Sequence, residues 1–230
     1  MKIHREPLVI DSRYYADDWD VPRALGCHLM GVVEYMESEL QIADPHRSRL
    51  PAEALEWYRF GGFMMEHAFA RHAIETECRR NPHLIQRPDP VMWCLECDMV
   101  VYGGAEACTE HCKTRGHRGI HASPDAMMME RWTLKEWKCT WKSQNRAGGD
   151  NDADTEREHL SVGIWRWPMQ TKAYCYLMQT LEAELWAMFV NGKYAPPVPS
   201  GDRFVMEYEQ QELDGTWSSV VSYARKGGML

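Results

Sequence analysis

A chain of 230 residues with a hydrophobic fraction of 44% and ten tryptophans is enough for one packed domain with, at most, a small insertion. No run of about 18 apolar residues occurs, which excludes a helical membrane span. The formal net charge of −8 argues against broad, nonspecific nucleic-acid binding, while leaving room for a local basic groove beside an acidic metal site.

The opening segment MKIHREPLVIDSRYY lacks the apolar stretch of a secretory signal and points to a cytoplasmic protein. A first helix is expected from Pro22, capped by Asp20, with Leu25, Leu29, Val32, Val33 and Met36 at helical spacing. A second is expected from Pro51 to the paired arginines Arg79 and Arg80. In its middle Gly61 and Gly62 each cost roughly 1 kcal/mol of helix propensity, which suggests close approach by another backbone. NPHLIQRPDP then breaks the helix. GIHASPDAMMM (119–129) and WTLKEWKCTW (132–141) read as paired strands, and the polar SQNRAGGDNDADTERE as a loop. PMQTKAYCYLMQTLEA reads as a helix opened by Pro168. ELWAMFVNG and RFVMEYE read as strands around a turn-rich segment, and ELDGTWSSVVSYARK as a closing helix. Helices and strands in this order give a mixed α/β layer protein, a mixed central sheet flanked by helices within a single domain spanning 1–230.

Between the second helix and the strands lies CLECDMVVYGGAEACTEHCKTRGHRGIH. Here Cys94, Cys97, Cys108 and Cys112 are interleaved with His111, His117 and His121. In a cytosolic chain such clustering suggests a metal more than disulfides. Cys94 and Cys97 form a C-x₂-C knuckle, and His111 and His117 follow at close to Cys₂His₂ spacing, so a structural zinc ion in an inserted hairpin over 91–118 is expected. Cys108 or Cys112 can replace either histidine, since a thiolate binds zinc at least as well.

Side chains two apart on a strand share a face, so Glu136 and Lys138 point one way and Trp137 the other. Asp125 on a neighbouring strand can meet Glu136 at one end of the sheet. Two carboxylates and a backbone carbonyl suit a hard cation such as Mg²⁺, and a lysine beside it can hold or help deprotonate an attacking water. That is the chemistry of metal-assisted phosphodiester hydrolysis. A lone E-x-K is most often a surface ladder, but three further features accompany this one. Ser-Pro precedes Asp125, Gly62 and Glu66 stand in a G-x-x-x-E arrangement, and Gln170 and Tyr174 form Q-x-x-x-Y on one helical face.

Taken in order, these motifs resemble the PD-(D/E)XK nuclease superfamily, and within it the RecB-type and phage lambda exonuclease branch, over roughly residues 58 to 226 with a gap at the Cys/His segment. The resemblance implies a restriction-endonuclease-like core. It implies Glu66 as the helical acidic residue near the metals, Asp125 as the ligand they share, Glu136 as a second ligand, the Trp137 carbonyl as a backbone ligand and Lys138 as the water-orienting base. Gln170 and Tyr174 would line the site and orient the substrate strand. It further implies Mg²⁺ or Mn²⁺ as cofactor and DNA as substrate. A single-strand annealing protein as partner and a ring-shaped homotrimer also follow from it, as does a phage-type recombination exonuclease acting on linear duplex. A structure-specific or restriction-like endonuclease on the same core is the alternative among enzymes, and a zinc-finger binding module the alternative outside them. The sequence departs from the iron–sulfur members of the branch, because Cys175 is the only cysteine after Cys139.

Overall fold

The computed structural model describes residues 26–42, 78–102, 118–143, 165–191 and 200–230. Within these, nine strands form two mixed sheets and three helices pack over them, so the mixed α/β class holds while the expected single central sheet is divided in two.

The first sheet has the order β1 (Cys27–His28), β5 (Gly119–Ala122), β3 (Val91–Cys94), β4 (Met99–Tyr102). β1 and β5 run parallel and the other pairs antiparallel. Gly119 is obligatory at its place: a Cβ there would lie 2.1 Å from the Trp93 carbonyl oxygen, so only glycine lets β5 lie this close to β3. The second sheet has the order β2 (Ile85–Gln86), β6 (Ala126–Met128), β7 (Thr133–Ser143), β8 (Glu182–Asn191), β9 (Ser200–Glu207). Its β7–β8 pair is parallel. GIHASPDAMMM is therefore not one strand. Its first part joins the first sheet, its last part pairs with β7, and Ser123, Pro124 and Asp125 carry the chain from one sheet to the other.

Helix α1 (Leu29–Glu39) buries Leu29, Val32, Val33 and Met36, one apolar stripe at 3.6-residue spacing. It starts later than the Asp20–Pro22 signal predicts, because pairing with β5 holds Cys27 and His28 extended; His28 Nδ1 then accepts the Met30 N–H at 3.2 Å as the cap. Asp20, Pro22 and Leu25 lie outside the described residues, as does most of the second predicted helix.

Helix α2 (Arg166–Met178) begins two residues before Pro168, which sits harmlessly in the first turn. It ends before the predicted TLEA, since Gln179 turns left-handed (φ 54) and Thr180 Oγ1 donates to the Trp132 carbonyl at 2.5 Å. α2 is the crossover that parallel β7 and β8 require. Helix α3 (Gln210–Lys226) closes the layer with Leu213, Trp217, Val220 and Val221 buried. At the centre of the core Trp217 stacks on Tyr176 at 4.9 Å and meets Trp93 edge-on at 5.9 Å. Among the described residues no helix is long and apolar enough to cross a membrane.

The opposite face of the second sheet carries Ile85, Ala126 and Trp137. Lys135 is buried there as well, its ammonium 4.9 Å from the Trp137 ring centre and 4.4 Å from that of Trp186. Glu184 accepts hydrogen bonds from Trp186 Nε1 on its own strand and, from β9, from both Arg203 Nε and Nη2.

Candidate active site

The face of β7 that meets α2 carries Leu134 in the apolar core, and Glu136 and Lys138 beyond it. Glu136 is 2% exposed, so its carboxylate requires partners. Lys138 Nζ lies 2.7 Å from Glu136 Oε1, and Gln170 Nε2 donates to the same oxygen at 3.1 Å. The second oxygen, Oε2, accepts the Asp125 backbone N–H at 3.4 Å. In return the Trp137 backbone N–H donates to Asp125 Oδ2 at 2.9 Å. The two carboxylates are thus cross-pinned, each held by a main-chain amide beside the other. Backbone amides help set their orientation, together with Lys138 and Gln170 on Glu136.

From α2, Gln170 and Tyr174 come one turn apart onto this cluster. Gln170 Nε2 also donates to the Tyr174 hydroxyl at 2.9 Å. This double donation fixes the amide, since reversing it would set the Gln170 oxygen against the Glu136 carboxylate. Gln170 Oε1 is then left buried without a hydrogen-bond partner among the described residues. Burial, reinforced by the neighbouring Glu136 charge, pushes the Tyr174 phenol well above its ordinary pKa. Tyr174 therefore stays protonated and can donate. Cys175 is raised for the same two reasons, burial first and Glu136 second, and is an inert buried thiol.

The structure thus brings Asp125, Glu136, Lys138, Gln170 and Tyr174 to one place, from the junction between the sheets, from β7 and from α2. Trp137 contributes its backbone there, while its side chain points to the opposite face. Glu66, His111 and His117 lie outside the described residues, as do Cys108 and Cys112. Cys94 ends β3, with Cys97 in the turn that follows, and both pack with Met92 and Val101 on the side of the first sheet away from the main core. The two backbone amides that orient the carboxylates were not identifiable from sequence, because any residue except proline supplies an N–H.

The carboxylates fit a hard cation. Asp125, Glu136 and Gln170 Oε1, which has no hydrogen-bond partner among the described residues, offer only oxygen donors, the set that Mg²⁺ and Mn²⁺ select. Among the described residues no group of three or more His, Cys, Asp or Glu side chains is arranged to hold a metal by itself. Any cation here would therefore rely on the two carboxylates, neutral oxygens and water.

No family model matches the chain and no curated protein matches it. Among solved structures it is similar to an alkaline exonuclease from Laribacter hongkongensis, with 11% identity and a TM-score of 0.48 over 91% of each chain. It is also similar to a phage-related exonuclease from Haemophilus somnus 129PT, with 13% identity and a TM-score of 0.43 over 86% of this chain and 79% of that one. At these values the likeness carries no argument about activity, and what the chain does has to be read from its own geometry.

Proposed function

We propose that this chain is a Mg²⁺-dependent deoxyribonuclease that hydrolyses phosphodiester bonds, acting as an exonuclease on linear double-stranded DNA in phage-type recombination. The observation that carries this reading is the meeting of Asp125, Glu136 and Lys138 at one point, with both carboxylates cross-pinned. Asp125 and Glu136 would hold the metal, with the Trp137 carbonyl as a further ligand. Bound there, Mg²⁺ would supply Lewis-acid stabilisation of the charge that develops on the phosphate. Lys138, seated on Glu136 Oε1, would orient the attacking water. Gln170 keeps Glu136 in place, and Tyr174, held protonated, donates toward a substrate oxygen. Glu66 would add a further carboxylate.

Cys94 and Cys97, at the end and in the turn of the β3–β4 hairpin, support a second, structural metal: a zinc ion completed by His111 and His117. A C-x₂-C pair in a tight turn is the geometry of a zinc knuckle. A ring-shaped homotrimer, a single-strand annealing partner and a cytoplasmic setting belong to the same reading.

The deciding experiment compares linear duplex with covalently closed circular DNA in Mg²⁺. Loss of linear DNA alone is the expected result. Loss of both would make the chain an endonuclease on the same core, and loss of neither would leave a zinc-finger binding module.

A further inference from the structure

The β6–β7 ladder stops at the pair Ala126↔Lys135. Its register, Ala126↔Lys135, Met127↔Leu134 and Met128↔Thr133, is antiparallel, so each step back along β6 is a step forward along β7. Two more steps would set position 124 opposite Trp137. Trp137 sends its N–H to the β6 side, onto Asp125 Oδ2. In an extended strand the carbonyl of a residue points the same way as its N–H, so opposed residues of this kind exchange both hydrogen bonds. An ordinary residue at 124 could thus donate its N–H to the Trp137 carbonyl and accept the Trp137 N–H. Both main-chain groups of Trp137 would then be consumed by the ladder. Residue 124 is a proline, it is buried, and it has no N–H.

We propose that Pro124 is a positioning residue of the site: by lacking an amide N–H opposite Trp137, it keeps the β6–β7 ladder from closing over the Trp137 carbonyl. One consequence is a third hard oxygen that stays open beside Asp125 and Glu136. The Trp137 N–H, which the Pro124 carbonyl could still accept, goes instead to the Asp125 carboxylate, the bond that aims it. Pro124 touches no reacting atom and acts through Trp137 and Asp125. The inference rests on the metal-dependent reading above and adds the reason why the ladder ends where it does.

The test separates the missing N–H from the ring. Full-length chains are prepared as wild type, as Pro124→Ala, and with lactic acid at position 124, which has the alanine side chain but an ester oxygen in place of N–H. Mn²⁺ affinity is measured by electron paramagnetic resonance of the free ion, and folding by circular dichroism. Pro124→Ala is expected to bind Mn²⁺ about tenfold or more weakly, the scale of losing a group that orients a ligand. The lactic acid chain is expected to bind as wild type does. Equal affinity in Pro124→Ala and wild type would overturn the inference, and so would a lactic acid chain as weak as the alanine one. If Pro124→Ala fails to fold, the lactic acid chain decides alone: wild-type affinity supports the role of the missing N–H, and weakened affinity overturns it. A wild-type chain that binds no Mn²⁺ would overturn the metal-dependent reading itself, an outcome distinct from the others.

Discussion

Lys138 Nζ lies 2.7 Å from Glu136 Oε1, two residues away on the same face of β7. Glu136 is 2% exposed and the Lys138 side chain 12%, so the pair is largely withdrawn from water. Removing one member of such a pair strands the other charge in a poor dielectric. Variants that keep shape are therefore needed to separate chemistry from stability.

Glu136→Gln and Asp125→Asn should fold, bind duplex DNA and lose cleavage by on the order of a hundredfold or more, as when a principal transition-state stabiliser is removed. Lys138→Ala should lose cleavage to the same degree. It should also melt at a lower temperature than wild type, because the buried Glu136 carboxylate loses its ammonium partner. Single-turnover cleavage, fluorescence anisotropy and thermal melts measure the three effects. Near-normal turnover in any variant removes that residue from the mechanism.

Brief treatment with EDTA followed by desalting should stop cleavage, and Mg²⁺ or Mn²⁺ alone should restore it, since an all-oxygen donor set exchanges a hard cation readily. Ca²⁺ should permit DNA binding but not turnover, its larger and looser shell misplacing the attacking water. Full activity in Ca²⁺, or rescue by zinc alone, would refute the assignment to Asp125 and Glu136.

Freshly reduced protein should carry about one zinc per chain, and Cys94→Ser or Cys97→Ser should lose it. Elemental analysis of the purified protein checks this directly. A chain free of zinc leaves Cys94 and Cys97 as ordinary thiols of the β3–β4 hairpin.

Away from the site, Glu184 links stability to pH. Burial alone would raise its carboxyl, but the hydrogen bonds from Arg203 and Trp186, with the charges of Arg203 and Lys135, outweigh it and hold the group below the usual carboxylate range. A folded pKa below the unfolded one gives stability that is complete above the unfolded value, about 4.3, and fades as pH falls through the folded value. Glu184→Gln should therefore be less stable than wild type in urea at pH 7, with the difference shrinking toward zero at pH values below the folded pKa. A gap that persists unchanged in acid would mean that the loss is one of packing.

Much of the cluster was legible because its spacings are set by backbone geometry. Two residues along a strand return a side chain to one face, which puts Glu136 with Lys138, and four along a helix do the same for Gln170 and Tyr174. What stayed hidden depends on contacts distant in sequence. GIHASPDAMMM gives no local sign of passing between two sheets, since the strand pairing that splits it lies with Trp93 on one side and Lys135 on the other. The late start of α1 has the same cause, β1 being held by β5. Nor does the sequence show that Lys135 is buried beside Trp137, because the ring of Trp186 that covers its charge comes from β8, a strand distant in the chain.

The parallel β7–β8 pair has a temporal consequence. Parallel neighbours cannot be joined by a tight turn, so α2 must leave the sheet, cross it and return before β8 can settle against β7. Asp125, Glu136 and Lys138 leave the ribosome well before Gln170 and Tyr174, which α2 carries on the way to β8. Pairings of this separation are slow to form, because the entropy of closing the loop is lost before the contacts compensate it. A half-made chain that ends in β7 holds Asp125, Glu136 and Lys138 without Gln170 and Tyr174, so the cluster is completed only after synthesis has passed α2.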